Sequence, residues 1–227
     1  SAKDYAGHLD KFESALDGFK LSIPKGRKQL SFSVMDTDFS KGRLGFQQQV
    51  GLSDLVKFHG HLCDGLVVGA KALDFSFHNL FGLDKIDRTN FRILSAPSPC
   101  LTDVAGYLSG GRIQFGTQSV QKLGGDLFVI QRISDGKTFQ IGLKSRVKPA
   151  QIIEMTAKAE KAELSPCELE ELKKLEDEFS QVILHADASD VFQFAELANF
   201  NWENQPQAIF PKTDVINKNQ GSCATEL

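Results

Sequence analysis

Tryptophan and tyrosine are scarce in this 227-residue chain, with one and two copies, whereas phenylalanine has 18. Its aromatic surface is therefore almost wholly apolar and reads as a Phe-rich core. Cysteine is sparse as well. Cys63, Cys100, Cys167 and Cys223 are widely spaced and no CxxC pair occurs. That excludes a disulfide scaffold and favours a reducing, cytoplasmic compartment. A single Cys63–Cys100 disulfide stays open, because sequence does not give the distance between them. The chain starts at Ser1, so a removed export leader also stays open. No apolar run approaches the ~20 residues of a membrane span. No long basic run occurs and the net charge is -3. Nothing supplies phosphate neutralisation, so nucleic acid is excluded as a partner.

Familiar catalytic templates are missing too. There is no HExxH, no Walker phosphate loop and no GxSxG elbow. Gly110-Gly111 and Gly124-Gly125 are too short for a dinucleotide fingerprint and read as turns. Asp36, Asp38 and Ser40 begin with calcium-loop spacing, but Lys41 sits where Gly is needed and Gln47 where Glu is needed. Calcium is excluded there.

What remains is an ordinary globular composition, 41% hydrophobic and 24% charged, long enough for one sizeable domain or a domain with an appendage. Leu9, Phe12, Leu16 and Phe19 predict a helix over 1–20, and Pro24 and Gly26 a turn. LSFSV at 30–34 alternates as a strand, and MDTDFSKGRLGF follows as a loop or hairpin. A short helix over 52–58 leads to a central buried helix, on which Leu62, Leu66, Gly69, Ala70, Leu73 and Phe77 recur at helical spacing. Its ridge of Gly65, Gly69 and Ala70 lets another backbone come close.

FRILS at 91–95 is a strand, stopped by Pro97 and Pro99 before a helix from Cys100. DLFVIQRI and TFQIGLK form a hairpin about a type I′ turn at Asp135-Gly136. Ser165 to Glu168 is a capping box. Leu169, Leu172, Leu175, Phe179, Val182 and Ile183 follow as a buried stripe, with Glu170 and Lys174 paired on the outer face. DVFQFAELANFNW closes as a strand, before a polar tail from Pro211.

This order predicts an α+β fold, an antiparallel-rich sheet packed against helices with a helical extension after the core. Residues 1–150 form the α+β core with the His/Cys site. Residues 151–210 form a helical hairpin and closing segment, and 211–227 the tail.

The chemistry sits in FHGHLCDGL, residues 58–66. Imidazole nitrogen and thiolate sulfur are good ligands for zinc and its neighbours. If one helix runs through, His59 and Cys63 share a face. If the chain turns at Gly60, His61 and Cys63 sit together at the start of the next helix. A thiol in a first helical turn is lowered in pKa by the unpaired amides there. Cys100 is the best further ligand, since it also follows a loop break and opens a helix. Asp103, one turn on, binds metal or orients a histidine. His8, His78, His185, Cys167 and Cys223 read as structural or surface residues.

FHGHLCDGLVVGAKA resembles the signature of the FmdE family of formylmethanofuran dehydrogenase proteins, roughly FHGHxCPG followed by a Gly/Ala-rich helix. PCLTDVAGYLSGG, with Cys100, Asp103 and Gly110, resembles the family's second block, and DVFQFAELANFNWENQPQAIF its segment after a helical hairpin. The departures are plain. Asp64 stands in place of the usual Pro, Gly111 in place of a frequent second Cys, and RIQFGTQ in place of a Lys-bearing Gly-rich run. The zinc ribbon that ends many members is absent or degenerate, with only Cys223 left, and residues 1–49 are longer than the usual approach.

The resemblance implies an α+β core with a metal or thiol site in a cleft, a small-molecule ligand and a homodimer. Three expectations follow. The first is a site of His59, His61, Cys63 and Cys100 for a divalent transition metal, zinc first, with Asp103 behind it, supporting Lewis-acid or hydrolytic chemistry on a small substrate. The second is a metal-free thiol enzyme with Cys63 as nucleophile and His59 or His61 as base. The third is a non-catalytic accessory or carrier protein linked to molybdenum, tungsten or metal metabolism.

Overall fold

Alternating apolar and polar residues build a hairpin first. In the computed structural model, which describes residues 30–38, 43–82, 85–111 and 117–200, β1 (Ser31–Asp38) pairs antiparallel with β2 (Arg43–Gly51). Phe32 and Val34 go inward, while Ser31 and Ser33 meet Gln49 and Gln47 on the outer side. The two-residue strand β3 (Ile86–Asp87) joins β1 in parallel, giving the order β2-β1-β3.

A second sheet is built from β4 (Phe91–Ser95), β5 (Gln118–Val120), β6 (Asp126–Arg132), β7 (Thr138–Leu143) and β8 (Phe192–Glu196). Its order is β5-β4-β6-β7-β8; β5 is parallel to β4 and the other pairs are antiparallel. The fold is α+β as expected, with two sheets among the described residues, both mixed. Phe91, Ile93, Phe128, Ile130 and Ile141 are buried on the inner face. Phe77 meets Phe91 edge-on at 5.0 Å, so phenylalanine does supply much of the core.

Six helices among the described residues complete the molecule: α1 (Leu52–His59), α2 (Asp64–Phe81), α3 (Pro99–Ser109), α4 (Ala150–Ala159), α5 (Pro166–His185) and α6 (Ala188–Val191). The central helix α2 buries Leu66, Val67, Ala70, Leu73, Phe77 and Leu80, and packs against α3 and α5. Burying side chains of this size contributes about 1.5–3 kcal/mol each, which outweighs the cost of the helix's glycines. Pro99 at the first helical position starts α3. The capping box at α5 is present: Glu168 N–H donates to Ser165 Oγ at 3.4 Å and Ser165 N–H to Glu168 Oε2 at 2.7 Å.

Four expectations change. The β6–β7 turn is not the two-residue type I′, because only Gly136 has positive φ there; its N–H closes on the Arg132 carbonyl at 3.0 Å. In α5, Leu172, Phe179 and Ile183 are buried, but Leu169 and Val182 are exposed at 47% and 59%. Only one face of that helix meets α2, so the apolar stripe is wider than the contact. Lys174 reaches Glu178 at 3.9 Å, one turn along from the Glu170 pairing expected. On α2, the nearest neighbours of Gly65 and Gly69 are side chains of α3 and β6, not another backbone. The expected helix over 1–20, the turn at Pro24, and the tail with Cys223 lie outside the described residues. Among the described residues, no helix is long and apolar enough to cross a membrane.

Candidate functional site

The motif is a helix end, a turn and a helix start. Helix α1 stops at His59 because Gly60 takes φ 101°, a left-handed conformation open to glycine, and its N–H returns to the Val56 carbonyl. The chain therefore turns at Gly60, yet His59 still faces the turn as the last helical residue. His61 follows, its ring 4.7 Å from that of His59. Cys63 is the N-cap of α2, and its Sγ accepts the Leu66 N–H at 3.4 Å. Phe58 rests on Tyr107 with ring centroids 5.2 Å apart, tying α1 to α3.

Helix α3 brings the second block. Cys100 Sγ lies 3.4 Å from Cys63 Sγ. His59 Nε2 lies 3.6 Å from Cys63 Sγ, and His59 Nδ1 donates to Asp103 Oδ2 at 2.7 Å. This bond turns Nε2 toward the sulfurs. The His59 side chain is 5% exposed and that of Asp103 34%, so the dyad is sheltered on the imidazole side. Gly65 is required for this approach. A Cβ there would lie 2.9 Å from Cys100 Sγ and 3.1 Å from its Cβ.

The two thiols have opposite acidities. The Cys63 thiol donates to Cys100, which holds Cys100 down to about 6; His59 and the Ser98 hydroxyl add to this, and burial opposes it. The same bond, together with burial, pushes Cys63 well above its ordinary value, more than the Leu66 amide lowers it. At Cys63 the Leu66 amide does lower the thiol, as its helix-start position implies, while the contact with Cys100 and burial act the other way. His61, at the exposed edge of the group, is lowered from its ordinary value by desolvation first, then by His59 and Lys173.

A charged rim surrounds the group. Asp64, in place of the family's Pro, pairs with Lys148 at 2.7 Å. On α5, the Glu176 carboxyl is raised by burial and then by Asp64. Lys148, Lys173 and Glu176 carry no motif; packing of α5 onto α2 brings Lys173 and Glu176 near, and Lys148 comes from the segment before α4. His78 and His185 each turn Nδ1 to a carbonyl of their own helix, Asp74 and Gln181, in structural roles. Cys167 is exposed on α5.

The donor set suits a metal. His59, His61 and Cys63 each offer one donor atom, all within 4.8 Å of one another, and Cys100 adjoins Cys63. In tetrahedral zinc with ordinary bond lengths, two sulfurs stand about 3.8 Å apart and sulfur and nitrogen about 3.6 Å. The separations here are 3.4 and 3.6 Å. Those two separations are close to the tetrahedral values, while Cys100 stands outside the group of three whose donor atoms all lie within 4.8 Å of one another.

Comparison with known proteins gives two findings. The family model described as "FmdE, Molybdenum formylmethanofuran dehydrogenase operon" matches residues 58–193, more than half of the chain. Among solved structures, the chain is similar to an FmdE-like protein of tungsten formylmethanofuran dehydrogenase type from Syntrophus aciditrophicus. That similarity is at 16% identity and a TM-score of 0.42, covering 66% of this chain and 74% of that one. No curated protein matches.

Proposed function

The chain belongs to the FmdE family, and from that membership we propose that it is a metal-binding protein whose His59, His61, Cys63 and Cys100 hold one divalent transition ion, zinc first. The observation that carries the reading is the run Asp103–His59–Cys63–Cys100, joined at 2.7, 3.6 and 3.4 Å. A carboxylate behind a histidine fixes its tautomer and strengthens it as a ligand. Asp103 does that for His59, and Gly65 admits Cys100 beside Cys63. With three of these residues bound and the fourth position open, the ion would supply Lewis acidity toward a small oxygen-bearing ligand. Lys148 and Lys173 place positive charge at the rim, beside Asp64 and His61 respectively.

Cobalt loading tests the reading. One equivalent of Co2+ should give thiolate-to-cobalt charge-transfer absorption in the near ultraviolet, and Cys63→Ala and Cys100→Ala should each weaken it. If the unaltered protein gives no such band, its cysteines are not ligands. A carrier role and a catalytic role share this site and separate on exchange: a carrier yields its ion to a chelator within minutes.

One observation favours a second reading. Asp103, His59 and Cys63 also stand in the order orienting acid, base and nucleophile. A metal-free thiol enzyme should alkylate at Cys63 at a rate that chelators leave unaltered. We extend the first reading to a homodimer on the strength of the family resemblance. A 25.0 kDa species at every concentration in sedimentation would remove that extension.

A further inference from the structure

We propose that Cys63 and Cys100 form a reversible redox pair, and that closing it to a disulfide empties the metal site. The second half rests on the metal-binding reading; the first stands on geometry alone. The two sulfurs are 3.4 Å apart and both cysteines are free. A disulfide needs about 2.05 Å, so the pair must close by roughly 1.4 Å. Both arms can supply this. Cys63 is an N-cap with extended backbone, φ -141° and ψ 164°, just before α2 rather than inside it. Cys100 is the second residue of α3, in its first turn. Gly65 keeps the two in contact by presenting no Cβ. Both residues are half-buried, which leaves them open to a small oxidant.

The oxidant that fits such access is hydrogen peroxide. One sulfur, as thiolate, attacks a peroxide oxygen; an S–O bond forms, the O–O bond breaks, and hydroxide leaves. The second thiol then displaces the sulfenic oxygen. The S–S bond forms, the S–O bond breaks, and water departs with the remaining proton. The cysteines lose two electrons in all, and the peroxide is reduced to water and hydroxide. A disulfide sulfur is no longer a thiolate ligand, so the site keeps only His59 and His61. By the same coupling, a bound ion that occupies both sulfurs protects them.

The test uses the full chain carrying Cys167→Ser and Cys223→Ser, which leaves the pair as its cysteines. Metal-free and zinc-loaded samples are treated with hydrogen peroxide and followed by intact mass, peptide mapping and released zinc. Support is a loss of about 2 Da with a mapped Cys63–Cys100 link, reversed by dithiothreitol. Zinc should slow the link at least tenfold and leave the protein as it forms. Stepwise gains of oxygen on one cysteine with no link would overturn the pair. A link that forms equally fast with zinc bound, and releases none, overturns the gating while leaving the pair. A chain that never binds zinc yet forms the link sinks the metal reading and the gating together, and again leaves the pair. Gly65→Ala should slow linking in the metal-free protein even if its fold survives unchanged.

Discussion

His59 works with both ring nitrogens, one on Asp103 and the other toward Cys63. Asp103→Asn keeps the shape but removes the charge and disturbs the tautomer, so zinc affinity should fall about 10–100-fold. Competition against a chelating dye measures this, and an unchanged affinity would leave Asp103 without a part in binding. The thiols give a pH signature in metal-free protein. Since Cys100 is held at about 6, its alkylation should be slow below that pH and climb through it. Cys63→Ala removes the donor that lowers it, and the midpoint should move up toward an ordinary thiol. Mapping of iodoacetamide-labelled peptides against pH reads both. The five members of this cluster were legible because residue type and family block point to them independently. The coupling between the two thiols was not. Helix position predicts a lowered Cys63, but a partner 37 residues away outweighs the local amide. The Lys148–Asp64 pair was hidden by the same separation in sequence.

Each element end has a task. The stop of α1 at Gly60, the start of α2 at Cys63 and the start of α3 after Pro99 converge, so three helix termini surround one small volume. The fit of α3 on α2 depends on Gly65. Gly65→Ala should cost about 1–3 kcal/mol through overpacking and should part the two sulfurs. Urea unfolding with zinc titration checks both effects; full affinity in a stable variant would show that the close approach is unnecessary. Caps and periodicity made most helices readable: the Ser165–Glu168 box and the Pro at the start of α3 are local signals. The β6–β7 turn was misread because Asp-Gly also suits longer loops with a single left-handed glycine. Leu169 and Val182 were misread because apolar spacing gives a helix's stripe and not the width of its neighbour.

The described residues share one main core, and α5 closes it over α2. Phe179→Ala, at a side chain only 4% exposed, should cost about 3–5 kcal/mol in chemical unfolding. The α+β class followed from strands and helices interspersed along the chain. The split into two sheets did not, because β3 has two residues and its parallel pairing with β1 leaves no local trace. Metal and fold should also be linked: zinc at 100 times its dissociation constant adds about 2.7 kcal/mol. For a chain of this length that is a rise of about 5–10 °C in melting temperature, lost in Cys100→Ala. The most direct measurement is elemental analysis of the untagged protein beside Cys63→Ala and Cys100→Ala, each checked for folding by circular dichroism. A centre held by both sulfurs requires close to one zinc or similar ion per chain, and a sharp drop in either variant. An unaltered protein without metal, or folded variants that keep all of it, would contradict the site.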